Sequence, residues 1–282
     1  MATFYMNLAC NSLVFELIDS GAYDRYLTFD QTRICVTFFG SASGLRWNGG
    51  RADYMIPPVS TDSLVRNVLA LNERNIGFAF VCNNTSIDRE SLSDGPCNAV
   101  LSRCRSPLNG VIVANKLLKD YIRASYPEYV LHASSILGYQ RLNELEQLYD
   151  EYDVVVLPDD LNVETEFLES LEYPERTEII LNCTCMYKCP NRQEHLRFIQ
   201  EENVRIRRKL PPRPWQLPCR RRAGKPGEID NAQLISPAKL ASLARSGFRH
   251  FKFLDRTTRP NFVLLERYWR RLSSVLEDAP AS

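Results

Sequence analysis

Apolar residues along this chain gather into short, nearly continuous runs separated by turn-forming residues. Four occupy the first half: FYMNLAC at 4–10, ICVTFFG at 34–40, IGFAFVC at 76–82 and GVIVAN at 110–115. Four more follow, YVLHAS at 129–134, DVVVLP at 153–158, EIILNC at 178–183 and HFKFLD at 250–255. Runs without strict alternation are what strands covered on both faces of a parallel sheet require. The intervening stretches carry helical spacing: Leu64, Val68, Leu69 and Leu71; Leu142, Leu145, Leu148 and Tyr149; Phe167, Leu168 and Leu171. Strands alternating with helices give an α/β fold, and eight strand candidates favour a TIM-type (β/α)8 barrel, irregular in places, over an open doubly wound sheet. The pattern predicts a single barrel domain over 1–282.

Two connections are too long for simple strand-to-helix loops: residues 40–63, and residues 184–249, a cysteine-containing insertion between the last two strands. Both follow the C-terminal end of a predicted strand, the face on which barrel active sites are assembled, so the two loops are expected to meet. No window of about twenty apolar residues is present, so membrane insertion is not expected. The N-terminal stretch is broken by Asn7, Asn11, Glu16 and Asp19 and does not read as a signal peptide, which places the protein in the cytoplasm.

Composition changes this picture only locally. The chain has 35 Lys+Arg against 34 Asp+Glu and is 44% hydrophobic, which suits a folded core and excludes a disordered chain. The balance hides the segment RIRRKLPPRPWQLPCRRRAGK at 205–225, with nine basic residues and no acidic one. Such a segment around Trp215 would suit RNA through charge and stacking, or equally a carboxylate substrate or plain solvation. Nine cysteines at uneven spacing do not form a disulfide framework, so reduced thiols are expected. Cys35, Cys97 and Cys104 lie in or beside apolar runs and read as small buried hydrophobes.

Cys185, Cys189 and Cys219 read differently. The first two, four residues apart, can be brought onto one centre by a turn, and Pro190 restricts the backbone just after the second sulfur. They are candidate metal ligands. The segment ILNCTCMYKCPNRQEH, with Asn182, Cys185, Cys189, Pro190, Arg192 and His195, resembles the pattern Asn-x-x-Cys-x-x-x-Cys-Pro-x-Arg-x-x-His of the U32 family, historically named collagenase-like peptidases. The resemblance continues in QLISPAKLASLARSGFRHFKFLDR and reaches upstream through GGRADYMIP, FAFVCNNTS and NGVIVANKLLKDYIRASYP.

That resemblance implies a TIM-type barrel, a 4Fe–4S cluster on four cysteines, and oxygen-independent hydroxylation chemistry of the kind seen on ubiquinone and RNA. It also implies a dicarboxylate such as prephenate as oxygen donor and, for some members, work in a hetero-oligomer. Cys185, Cys189 and Cys219 would be cluster ligands, with Cys82 first among candidates for the fourth and Cys183 and Cys10 as alternatives. Zinc on three thiolates and His195 is the competing metal. The family name adds a metal-dependent peptidase, and a non-catalytic iron–sulfur partner subunit is a third reading. Asp255 stands where many relatives have Gly, a departure beside the expected pocket.

Polar residues expected beside the metal, at strand ends or in the long loops, are Arg51, Arg192, His195, Lys252 and Arg256, with Asn83, His132, Asn162 and Asn182 as further candidates. Arg192 and His195 also read as braces of the cysteine loop. Lys252 alternates with Phe251 and Phe253, so it should point into the barrel, towards a substrate carboxylate or a core acid such as Asp159 or Asp160. No His-Glu-x-x-His, Gly-x-Ser-x-Gly, P-loop or dinucleotide fingerprint occurs.

Overall fold

The computed structural model describes residues 2–7, 34–50, 59–183, 187–214 and 234–254. Arg51, Cys185, Cys219 and Arg256, and the Cys10 alternative, lie outside them. Eight parallel strands follow one another in chain order: β1 (Ala2–Asn7), β2 (Ile34–Gly40), β3 (Gly77–Cys82), β4 (Gly110–Val113), β5 (Val130–Ala133), β6 (Val154–Val156), β7 (Thr177–Ile180) and β8 (His250–Phe253). Each pairs with the next, and β1 pairs with β8 from Thr3↔His250 to Met6↔Phe253, so the strands form a ring. Each strand overlaps one of the eight apolar runs; β2 and β3 end with their runs and the other six end one to three residues earlier.

The described helices are α1 (Thr61–Asn72), α2 (Gly95–Arg103), α3 (Lys116–Ser125), α4 (Leu142–Glu151), α5 (Thr165–Glu169), α6 (Arg192–Arg207) and α7 (Pro237–Arg245). They follow β2 to β7, giving a barrel-like α/β fold. Most begin where a short polar side chain stops the preceding loop. Ser60, Asp94, Asn115 and Ser236 each accept a hydrogen bond from the backbone N–H three residues on, satisfying one orphan donor of the first turn. Pro237 opens α7, where its missing N–H costs nothing.

Strand parity divides the core into two zones. Phe78 and Phe80 of β3, Val111 and Val113 of β4 and Phe251 and Phe253 of β8 face the helices, packing with Leu64, Val68, Leu118 and Leu145. Their alternate neighbours face the barrel interior, where Phe39, Ala79 and Ile112 form one small cluster and Val156, Ile180 and Cys183 another. One position of the helical pattern fails: Leu69 is 42% exposed, while Val65 is fully buried in its place. At 100° per residue, Leu69 falls to the solvent side of a stripe formed by Leu64, Val65, Val68 and Leu71.

Candidate functional site

The mouth at the C-terminal ends of the strands is built largely by the connection after β6 gripping the connection after β7. The turn Asp159–Val163 presents consecutive carboxylates. Asp159 Oδ2 accepts from the Cys183 thiol at 2.6 Å. Asp160 takes both ends of the Arg192 guanidinium, at 2.8 and 3.1 Å, and also the backbone N–H of Lys188 at 2.7 Å. Glu164 accepts from Tyr187 and pairs with Lys188 at 3.1 Å, contacts that hold its carboxyl below the usual range. The residues on both sides of Cys189 are thereby fixed, and Cys189 itself is half-buried. Arg192 N–H also bonds to the Cys189 carbonyl at 3.2 Å.

Helix α6 leaves this turn and passes other strand ends. Gln193 lies where a Cβ on Gly138, after β5, would sit, and Gln200 Oε1 accepts from Thr85, after β3, at 2.5 Å. Its buried positions are polar: Gln200, Glu202 and Asn203. Arg213 donates to Glu202 at 2.5 Å, and although burial opposes ionisation, this pairing keeps the Glu202 carboxyl low. His195 lies on the second turn of this helix, its N–H bonded to the Asn191 carbonyl. On the other side of the mouth, Asn83 accepts from the N–H groups of Gly49 and Gly50, at 3.2 and 2.7 Å, docking the long loop after β2. A Cβ on Gly49 would lie 2.5 Å from the Asn84 Cα, so glycine is required for this approach.

Asn182 and Asn162 extend the strand ladder with their side chains. Asn182 Oδ1 accepts from Leu254 at 2.7 Å, and Asn162, 1% exposed, accepts from Ile180 at 3.4 Å. The Asn162 amide nitrogen is buried and has no hydrogen-bond partner among the described residues.

Lys252 does point into the barrel, and its partner is Glu178, at 2.8 Å, rather than Asp159 or Asp160, which serve the cysteine turn. His132 Nδ1 lies 3.4 Å from the other Glu178 oxygen, and the ammonium of Lys252 stands 4.4 Å over the Phe39 ring. Gly110 makes the room, since a Cβ there would come within 2.9 Å of the imidazole. Burial alone would raise the Glu178 pKa, but Lys252 and then His132 outweigh it and bring it down to about 2. Glu178 is 0% exposed and Lys252 5%, so this cluster reads as an internal ion network.

Cys82 shares the parity of Phe78 and Phe80 and faces the helices, in the same cluster as Cys97, Val100 and Leu101. Burial pushes its thiol up to about 12, opposing the thiolate that a metal needs. Cys183 lies in the other cluster, with Val156 and Ile180, and its thiol donates to Asp159. Cys97 and Cys104 are buried, as expected of structural cysteines. Among the described residues, no group of three or more His, Cys, Asp or Glu side chains is arranged around one point as a metal site. Among them, too, no helix is long and apolar enough to cross a membrane.

No protein-family model matches the chain, and no curated protein does. A solved structure, that of the U32 peptidase Mk0906, matches over 92% of this chain and 94% of its own, with a TM-score of 0.57 at 12% identity. The chain shares its fold with a U32 peptidase. The likeness spans nearly the whole of both chains, so it concerns the barrel-like architecture rather than one motif.

Proposed function

We propose that this is a U32-type protein with a complete TIM-type (β/α)8 barrel, acting in the cytoplasm as an iron–sulfur enzyme with oxygen-independent, hydroxylation-like redox chemistry. The observation that carries the reading is the docked cysteine turn. Asp159 and Asp160, adjacent in sequence, hold Cys183 and the backbone just before Cys189, which draws two cysteines to one mouth. In this reading Cys183 takes the fourth ligand role with Cys185, Cys189 and Cys219, because Cys82 faces the helical layer. A 4Fe–4S cluster held there would supply one-electron transfer.

The residues present fit thiolate ligation in one further respect: a hydrogen bond from a thiol to a carboxylate gives its proton a nearby acceptor when a metal takes the sulfur. Two predicted anion binders, Arg192 and Lys252, are occupied by Asp160 and Glu178. Recognition of a substrate carboxylate, for which prephenate is the proposed type, therefore falls to Arg51 and Arg256, with His195 at the rim. RNA on the basic segment and a partner subunit remain secondary proposals.

Replacing each cysteine in turn tests the ligand set. Iron content after anaerobic reconstitution should fall for Cys183→Ser, Cys185→Ser, Cys189→Ser and Cys219→Ser and stay at the wild-type level for Cys82→Ala. Loss with Cys82→Ala but not with Cys183→Ser would reverse the assignment. Peptide hydrolysis is the second reading, favoured by the name of the solved neighbour. It requires chelator-sensitive cleavage of peptide pools, lost on Cys185 or His195 replacement.

A further inference from the structure

We infer that Asp160 is the positioning residue of the cysteine turn: it sets the place of the Cys189 sulfur by clamping the backbone just before it and the side chain just after it. The inference rests on the reading of that turn as the ligand-bearing site. Lys188 carries a left-handed backbone, φ 49°, a conformation a lysine does not adopt without support. Its N–H is held by Asp160 Oδ1 at 2.7 Å. The same carboxylate receives both Arg192 nitrogens, a bidentate charge-assisted pair in a largely buried setting, with side-chain exposures of 12% for Asp160 and 18% for Arg192.

Arg192 in turn bonds through its own N–H to the Cys189 carbonyl. One carboxylate thus closes a loop running Lys188, Cys189, Arg192 and back. The short turn from which it acts is anchored by Asn162, whose side chain bonds to β7. Through these contacts with Lys188 and Arg192, Asp160 acts on the turn. Because Arg192 also begins α6, the carboxylate ties the orientation of that helix to the position of the thiol.

The test uses the metal-free full chain and iodoacetamide, with labelling of each cysteine resolved by peptide mass spectrometry. Asp160→Ala should raise the Cys189 labelling rate by about tenfold, the factor set by losing charge-assisted hydrogen bonds. Asp160→Glu, which keeps the charge, should restore most of the protection. Cys97 and Cys104 should stay unlabelled in every variant, showing that the barrel is intact. If Asp160→Ala does not fold, Arg192→Gln removes the outer half of the clamp and should give the same selective rise. An unchanged Cys189 rate in a folded variant overturns the inference, as does equal acceleration at all cysteines. Iron uptake is measured separately: wild type that takes up no iron while Asp160→Ala still unmasks Cys189 would sink the cluster reading and leave the positioning role standing.

Discussion

Glu178 sets a charge inside the barrel. It is fully buried, and its charge is tolerated because Lys252 and His132 approach it from β8 and β5. Removing one partner strands the other charge, so Glu178→Gln or Lys252→Met should each cost about 3–5 kcal/mol, whereas Glu178→Leu with Lys252→Met together should cost far less. Urea unfolding of the three variants measures this; additive losses in the double variant would contradict the network. Acid should act on the same place. The His250 pKa falls from 6.5 to about 4, first through burial, and that of Glu178 from 4.5 to about 2. A depressed folded pKa means stability present above the unfolded value and lost as pH falls towards the folded one. Stability should therefore decline from pH 6.5 towards 4 through His250 and further from 4.5 towards 2 through Glu178. Denaturant midpoints across this range check it, and His250→Phe should flatten the upper part.

That Lys252 points inward was legible from its alternation with Phe251 and Phe253, but its partner was not. Glu178 opens the apolar run EIILNC, where a carboxylate shows no partner until the pairing of β7 with β8 brings Lys252 alongside. Lys252 pairs with a core acid, as was open from the sequence, and that acid is Glu178 because Asp159 and Asp160 lie past the end of β6, among the turns of the mouth.

At the level of elements, strands were easier to read than α6. Fully buried strands need continuous apolar runs, and each such run is a strand. Helix α6 buries Gln200, Glu202 and Asn203, so the apolar period that marks α1 or α3 is missing, and only the length of the connection hinted at its presence. A helix held by polar contacts should open more readily than one held by apolar packing. Hydrogen exchange of the α6 amides should rise in Gln200→Ala, which loses the bond to Thr85, while α3 keeps wild-type protection. Equal exchange in both helices would show that this contact does not hold α6. The caps offer a milder test: Asp94→Ala should cost about 1 kcal/mol through the first turn of α2, read from the urea midpoint.

For the molecule as a whole, the strand ring places the connections after β6 and β7 side by side, so a carboxylate turn and a cysteine turn distant in sequence form one structure. The cysteine spacing was visible in the chain, and so was the candidacy of Cys183; the different surroundings of Cys183 and Cys82 were not, because both end an apolar run. Strand parity decides their surroundings, turning Cys82 with Phe78 and Phe80 towards the helices and leaving Cys183 with Val156 and Ile180 inside the mouth. In the proposed function this mouth holds iron and sulfide. Anaerobic purification followed by visible absorption and iron and sulfide analysis addresses it directly. A brown protein is expected, with broad absorption at about 400 nm and about four irons and four sulfides per chain, lost in Cys185→Ala. A colourless, iron-free protein under the same conditions, or one carrying a single zinc, would contradict it.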